Sequence, residues 1–447
     1  MMTDEQRQHA VAAIQQALPA LEWTLQPAKI KRLSRDFHWF SPLLTEQLAG
    51  KQADAVVRPR DEEELRQLVC ACAQHQLPLT LRGSATGNGT VRAQAGIRLA
   101  DIETAARPTG WELRCMPSTY RLASLGGLYG GGFGGIGSIN YGPLAAPGNV
   151  LSVKVMTVEP APRVLTVPAP EALLLHHAYG NNGIILEVEL ALAPVHQWIE
   201  RLDVFDDFAD ALNYANACVR SPGLVKRQVA LLATPIADYF SHLNDRYHAG
   251  QHAVISLIAE ESEGLCASLL PRHRGSNAIR QASDEARTRN GSLMEYCWNH
   301  TTLHALKVDN TLTYLQTAFD PLRYPQQILQ MEQHFAGEVM SHIEFLRDIE
   351  GNLTASGLQL VRYTTPERLN AIMQIFRDND VKINNPHVLQ VEDGKQGVIR
   401  PDVVAVKQSL DPAGLLNPGK LRGWALRDQL ELDSNPLTRA TRESPTT

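Results

Sequence analysis

Nine glycines fall within the seventeen positions from Gly126 to Gly142, and no other stretch of the chain limits its fold as sharply. The run reads Leu125-Gly-Gly-Leu-Tyr-Gly-Gly-Gly-Phe-Gly-Gly-Ile-Gly-Ser-Ile-Asn-Tyr-Gly142. Glycine weakens a helix by about 1 kcal/mol per residue relative to alanine, so no regular helix is expected here. The whole chain of 447 residues holds 31 glycines, so the excess is local. A flexible linker would be polar and serine-rich, whereas Leu128, Tyr129, Phe133, Ile136, Ile139 and Tyr141 stand between these glycines. Small residues alternating with aromatic ones make a packed loop whose backbone can approach something flat or phosphorylated. Gly-x-Gly-x-x-Gly occurs from Gly130 and again from Gly132, with Glu159 downstream. A dinucleotide fingerprint must follow a buried strand and open a helix. Met116 to Arg121 is no such strand, and Pro143 and Pro147 stop the helix, so that reading fails.

The balance of 42 Lys and Arg against 48 Asp and Glu gives a net charge of −6, which argues against nucleic acid as a partner. The first residues are polar and lead into an amphipathic helix, and no apolar run reaches the ~18 residues of a membrane span. The expected compartment is the cytoplasm. Six scattered cysteines with no Cys-x-x-Cys pair read as reduced thiols.

Helical spacing covers residues 4–18, and Ala55-Val56-Val57 reads as a strand. Asp61 caps a helix with Leu65, Leu68, Val69 and Cys72 on one face. Strands are expected at 77–81, 150–158 and 183–192. Beyond Pro194 the texture changes to strand–helix–strand units. Strands fall at 199–205, 224–232 and 253–258, helices at 206–219 and 325–337, a hairpin turns at Glu350-Gly351-Asn352, and a helix starts at Pro366. These units suggest an α+β lobe of ferredoxin-like character. No repeat of fixed period is visible.

A cradle without a long helix is the remaining reading of the glycine run: it forms one wall, and Arg82-Gly-Ser-Ala-Thr-Gly-Asn-Gly89 at a strand end forms another. In this the chain resembles the vanillyl-alcohol oxidase/p-cresol methylhydroxylase type of FAD-binding flavoproteins. The likeness runs through Ala55–Arg60, Arg82–Gly87, Pro117-Ser118-Thr119, Ser124–Gly127, Gly137–Gly142, Gly148–Leu151 and Tyr179–Ile185, and resumes at Asp411–Lys420. It implies a two-lobed α+β fold. An FAD-binding domain would span 30–195, a ferredoxin-like cap 196–400, a return to the first domain 401–425, and a flexible tail 426–447.

The resemblance implies that Arg82, Gly83, Ser84, Ala85, Thr86, Gly87 and Asn88, with Ser124, Leu125, Gly126 and Gly127, hold the FAD diphosphate through backbone N–H groups. Pro117, Ser118, Thr119, Ile184 and Ile185 would line the adenosine end. Gly137, Ser138, Tyr141 and Gly142 would run near the flavin ring, with Asn149 and Lys420 as further contacts. Many relatives attach FAD to a histidine in the first turn, where this chain has Ser84, Ala85 and Thr86, so non-covalent FAD is expected. Relatives usually place a strand pair between the first turn and the next strand, whereas only Thr90 separates Gly89 from Val91 here, so the resemblance implies a shorter sheet behind the first turn.

The expected reaction is oxidation of an alcohol or hydroxyacid carbon by hydride transfer to FAD, with a small-molecule substrate. The electron acceptor and oligomeric state are not specified by the sequence. The alternative is a flavoprotein-like binding protein without redox activity. Tyr141 is either a ring-side contact or loop packing. Glu295-Tyr-Cys-Trp-Asn-His300-Thr-Thr-Leu-His304 is the most polar-aromatic stretch of the cap, and His300 and His304, four apart in it, are either surface residues or a base or substrate clamp facing the flavin. His387, in a turn before a strand expected at 388–391, is either a base at the cap's return or a solvated loop residue. His334, Glu338 and His342 share a helical spacing that suits metal ligands, but a strand beginning before Glu344 would dissolve the site, and none is assigned.

Overall fold

The computed structural model describes residues 3–34, 52–79, 90–289, 291–395 and 397–442. The first turn, Arg82 to Asn88, therefore lies outside the described residues.

The first lobe is built on strand Ile184–Pro194, whose eleven residues pair on one side with Val150–Met156 and on the other with Thr90–Gln94. Val164–Pro168 extends the sheet beyond Val150–Met156, and Trp111–Leu113 pairs with the far end of Ile184–Pro194. All these pairings are antiparallel. Val153, Val167 and Val188 are fully buried, as alternation on half-buried strands dictates. Helix Glu62–Gln74 begins at Asp61, whose carboxylate accepts the Glu64 N–H, and buries Leu68, Val69 and Cys72.

The second lobe is one antiparallel sheet of nine strands among the described residues. Strands Trp198–Phe205, Lys226–Leu232, His252–Ala259 and Ser276–Ala282, with helices Phe208–Arg220 and Glu263–Leu269, form a βαββαβ unit in spatial order 4-1-3-2. Strands Leu312–Ala318, His342–Arg347, Leu353–Arg362 and Lys382–Asn384, with helices Tyr324–Phe335 and Pro366–Asp378, repeat that order in mirror sequence along the sheet. The cap is thus two ferredoxin-like units. They join where the second strand of each meets, with Ala230 opposite Glu344 and Leu232 opposite His342. The absence of a sequence repeat concealed this, because the repetition lies in strand pairing. Helices Phe208–Arg220, Tyr324–Phe335 and Pro366–Asp378 bury one face of the sheet; the other meets the first lobe.

Three expectations need correction. The glycine run contains helices Leu125–Gly131 and Ser138–Tyr141. Ser124 caps the first by accepting the Gly127 N–H, and contacts outside the helix supply what its glycines lack. Residues 388–391 form no strand. The tail is anchored through residue 442: Thr438 and the Arg439 N–H both bond Glu171, Leu437 is buried, and Thr441–Arg442 pairs with Val164–Pro168. No helix among the described residues is long and apolar enough to cross a membrane.

Candidate functional site

The glycine run sits against the junction of the two cap units. The Gly137 N–H donates to the Arg227 carbonyl, the Asn140 side chain donates to the Lys226 carbonyl, and Gly142 lies against the backbone of Arg347 and Asp348. Its glycines divide into two kinds. At Gly126 a Cβ would come within 2.7 Å of Ala95, and at Gly135 it would strike the Met116 carbonyl, so close packing within the protein demands glycine there. At Gly130 a Cβ would meet nothing within 4 Å, and Gly127 and Gly131 are exposed. Gly130 and Gly131 leave a bare backbone strip at the end of one short helix, bounded by the ring of Tyr179 beyond Gly131, whereas a Cβ at Gly127 would stand 3.0 Å from the Ser124 hydroxyl.

The N–H groups of Leu125, Gly126, Gly127 and Leu128 are already bonded, to Ile97, Ala95, the Ser124 hydroxyl and the Ser124 carbonyl. This segment therefore offers an open surface to a ligand, in place of the free donors expected from it.

From the cap, the segment before helix Asn299–Val308 reaches back to the same run. Trp298 has φ +51°, and its indole comes within 3.3 Å of where a Gly134 Cβ would stand. The indole N–H donates to Gln228 at 3.1 Å, and the Trp298 backbone N–H donates to Glu344 at 2.5 Å. Glu344 also accepts from Gln228 and lies 2.8 Å from His342 Nε2, both acid and histidine being fully buried. This network fixes Trp298 over the glycines. Sequence reasoning singled out the polar-aromatic segment 295–304 but missed Gln228 and Glu344, which lie on strands far away in the chain.

His300 follows two residues later. Its backbone N–H donates to the Ser118 hydroxyl at 3.3 Å, which joins the cap to the 117–119 turn. Its Nδ1 is buried with no hydrogen-bond partner among the described residues. Burial, helped by Lys307 and Arg121, pushes its pKa down to about 4, so the ring is a neutral base at neutral pH. His304 is placed differently: its Nε2 bonds the Glu295 carbonyl and its ring stacks on Tyr296 with centroids 4.4 Å apart. His387 is neither solvated nor free. It is buried, its Nε2–H donates to the Tyr314 carbonyl at 2.9 Å, and its ring meets Tyr314 edge-on. The His334, Glu338 and His342 spacing dissolves, because the helix ends at Phe335, Glu338 pairs with Arg368, and His342 is on a strand.

Other expected residues are distributed as follows. Ser138 is fully buried and its hydroxyl accepts the Gly135 N–H. Asn149 spends its amide on the carbonyls of Tyr141 and Pro143, so it shapes the loop. Ile184 is buried in a cluster with Met156 and Leu416, and Ile185 is half-buried beside the main core. Tyr141 borders a cavity of about 450 Å³ lined from both lobes, with the Arg114 guanidinium over its ring at 5.1 Å. The return segment brings Lys420 to 5.8 Å from the ring of Tyr179 and Asn417 to the Tyr179 carbonyl.

Residues 85–160 match the family described as FAD binding domain. Two solved structures of alkyldihydroxyacetonephosphate synthase share the fold. One, in P1, has a TM-score of 0.55 at 14% identity and covers 82% of this chain and 77% of that chain. The other, in P212121, has a TM-score of 0.56 at 13% identity and covers 83% and 78%. No curated protein matches the chain.

Proposed function

Because the chain carries an FAD-binding domain of the p-cresol methylhydroxylase type, we propose that it is an oxidoreductase that removes hydride from an alcohol or hydroxyacid carbon. The bare strip at Gly130 and Gly131 fits the cofactor: a side chain there would fill space that the protein itself leaves open. The Arg82–Asn88 turn supplies backbone N–H donors to the diphosphate, and the absence of a histidine at Ser84, Ala85 and Thr86 makes the attachment non-covalent. Bound FAD supplies the hydride acceptor.

The chain's own residues position the substrate and manage its proton. Trp298, locked by Gln228 and Glu344, closes the cap side of the glycine run and excludes water from it. His300, neutral and with a buried Nδ1 that has no protein partner among the described residues, takes the hydroxyl proton as the carbon is oxidised. That unpartnered nitrogen, two residues beyond the Trp298 that packs on the glycine run, is the observation that carries the reading.

Anaerobic mixing of the FAD-loaded protein with a panel of alcohols and 2-hydroxyacids tests it. The expected result is loss of the oxidised flavin band at roughly 450 nm with at least one member. Retained colour with every member, despite bound FAD, would instead support a binding protein without redox activity.

A further inference from the structure

We propose that the cavity bordered by Tyr141, between the two lobes, is a binding site for a small organic anion held by Lys226 and Arg347. The cavity, about 450 Å³, is large enough for a compact ligand and is lined from both lobes, by Glu112 and Tyr141 on one side and Lys226 and Arg347 on the other. Lys226 enters it from the start of its cap strand and is only 9% exposed. Its ammonium donates to the carbonyls of Ser221 at 2.8 Å and Leu224 at 3.2 Å, and no carboxylate among the described residues lies within ion-pair distance. A buried cation without a counter-charge is costly, and burial lowers the pKa of this one. Two neutral carbonyls orient the ammonium without neutralising it. An anion in the cavity would.

Glu112 and His196, also in the lining, are already partnered. Glu112 is held by Arg107 at 2.7 Å, by Arg227 at 3.2 Å and by the Trp198 indole N–H at 3.0 Å. His196 is paired with Glu261 at 2.9 Å. Arg347 is not: it is exposed, and its guanidinium donates to the Gly351 carbonyl alone among the described residues. Lys226 and Arg347 thus leave two uncompensated positive charges on one cavity. Tyr141 and Trp198 add aromatic walls, which suit a carboxylate or phosphate carried on a flat or apolar body. Neither Lys226 nor Arg347 lies within 4 Å of a Cβ at Gly130 or Gly131, so anion binding here and FAD binding at that strip can be measured apart.

Calorimetric titration of the full chain with sodium benzoate, and separately with inorganic phosphate, tests the proposal at fixed ionic strength. At least one should bind with 1:1 stoichiometry, and which one does distinguishes a carboxylate from a phosphate site. Arg347→Gln and Lys226→Met should each weaken that binding tenfold or more, while benzyl alcohol, with the same ring and no charge, should not compete. If Lys226→Met fails to fold, the exposed Arg347→Gln decides alone. Failure of both anions to bind, or equal binding by the Arg347 variant, would overturn the proposal. FAD retention, measured in the same samples, reports on the flavin reading separately, so either can fail without the other.

Discussion

Burial holds three histidines, His300, His304 and His387, at pKa values near 4 against an ordinary 6.5. Each takes up its proton on unfolding, so between those two values the unfolded chain binds more protons than the native one. Stability from these groups is therefore complete above about 6.5 and is lost as pH falls from there towards 4. Thermal melting between pH 7.5 and 4.5 should show Tm falling below about 6.5, with about three protons taken up by these rings on unfolding at pH 5. His387→Asn should remove about one of them. For catalysis the same depression has another consequence. His300 is already deprotonated at neutral pH, so kcat/KM should show no inflection near 6.5 and should fall only on approach to 4. His300→Gln should lower turnover by about 10²- to 10⁴-fold, the usual worth of a general base, while flavin content stays that of the wild type. Flavin loss in step with activity would make His300 a structural residue.

At the level of elements, the return segment 411–420 depends on one buried ion pair. The Lys407 ammonium donates to Asp411 at 2.8 Å and to the carbonyls of Asn181 and Leu416 at 3.1 Å. Asp411 in turn accepts the N–H groups of Leu415 and Leu416 at 2.9 Å. Lys407→Met strands the carboxylate, and removal of one partner from a buried pair costs about 3–5 kcal/mol. Urea unfolding should show a loss of that size; a loss below about 1 kcal/mol would mean that the segment is held by other contacts. The strands and helices were legible in the chain where local period and local caps decide them, as in Ile184–Pro194 and in the helix begun by Asp61. Helix Leu125–Gly131 was not, because propensity opposes it and its N-terminal donors are satisfied from Ala95 and Ile97, outside the run. The paired cap units were equally hidden, since register between strands 110 residues apart leaves no trace in local pattern. Within the candidate site the polar-aromatic segment around Trp298 and His300 could be picked out, whereas its supports Gln228 and Glu344 stand on strands that look ordinary.

For the whole molecule, a buried charge cluster ties the lobes together. Arg227 of the cap donates to Glu103 at 2.9 Å and to the Leu113 carbonyl at 2.8 Å, and lies 3.2 Å from Glu112; both acids belong to the first lobe. Burial raises the pKa of Glu112, while Arg227 and Arg287 outweigh burial at Glu103 and hold it low. Arg227→Met should cost about 3–5 kcal/mol and raise amide exchange in residues 99–113 and 226–232 together. Exchange confined to one lobe would show that the cluster does not couple them. FAD is proposed to lie against the open glycine strip, and titration of FAD into the full chain tests this most directly, with flavin fluorescence as the signal. Wild type should bind. Gly130→Leu, which meets no protein atom within 4 Å of its Cβ, should keep the wild-type Tm yet bind FAD at least tenfold more weakly. Undiminished binding by that variant, or none by the wild type, would contradict the account.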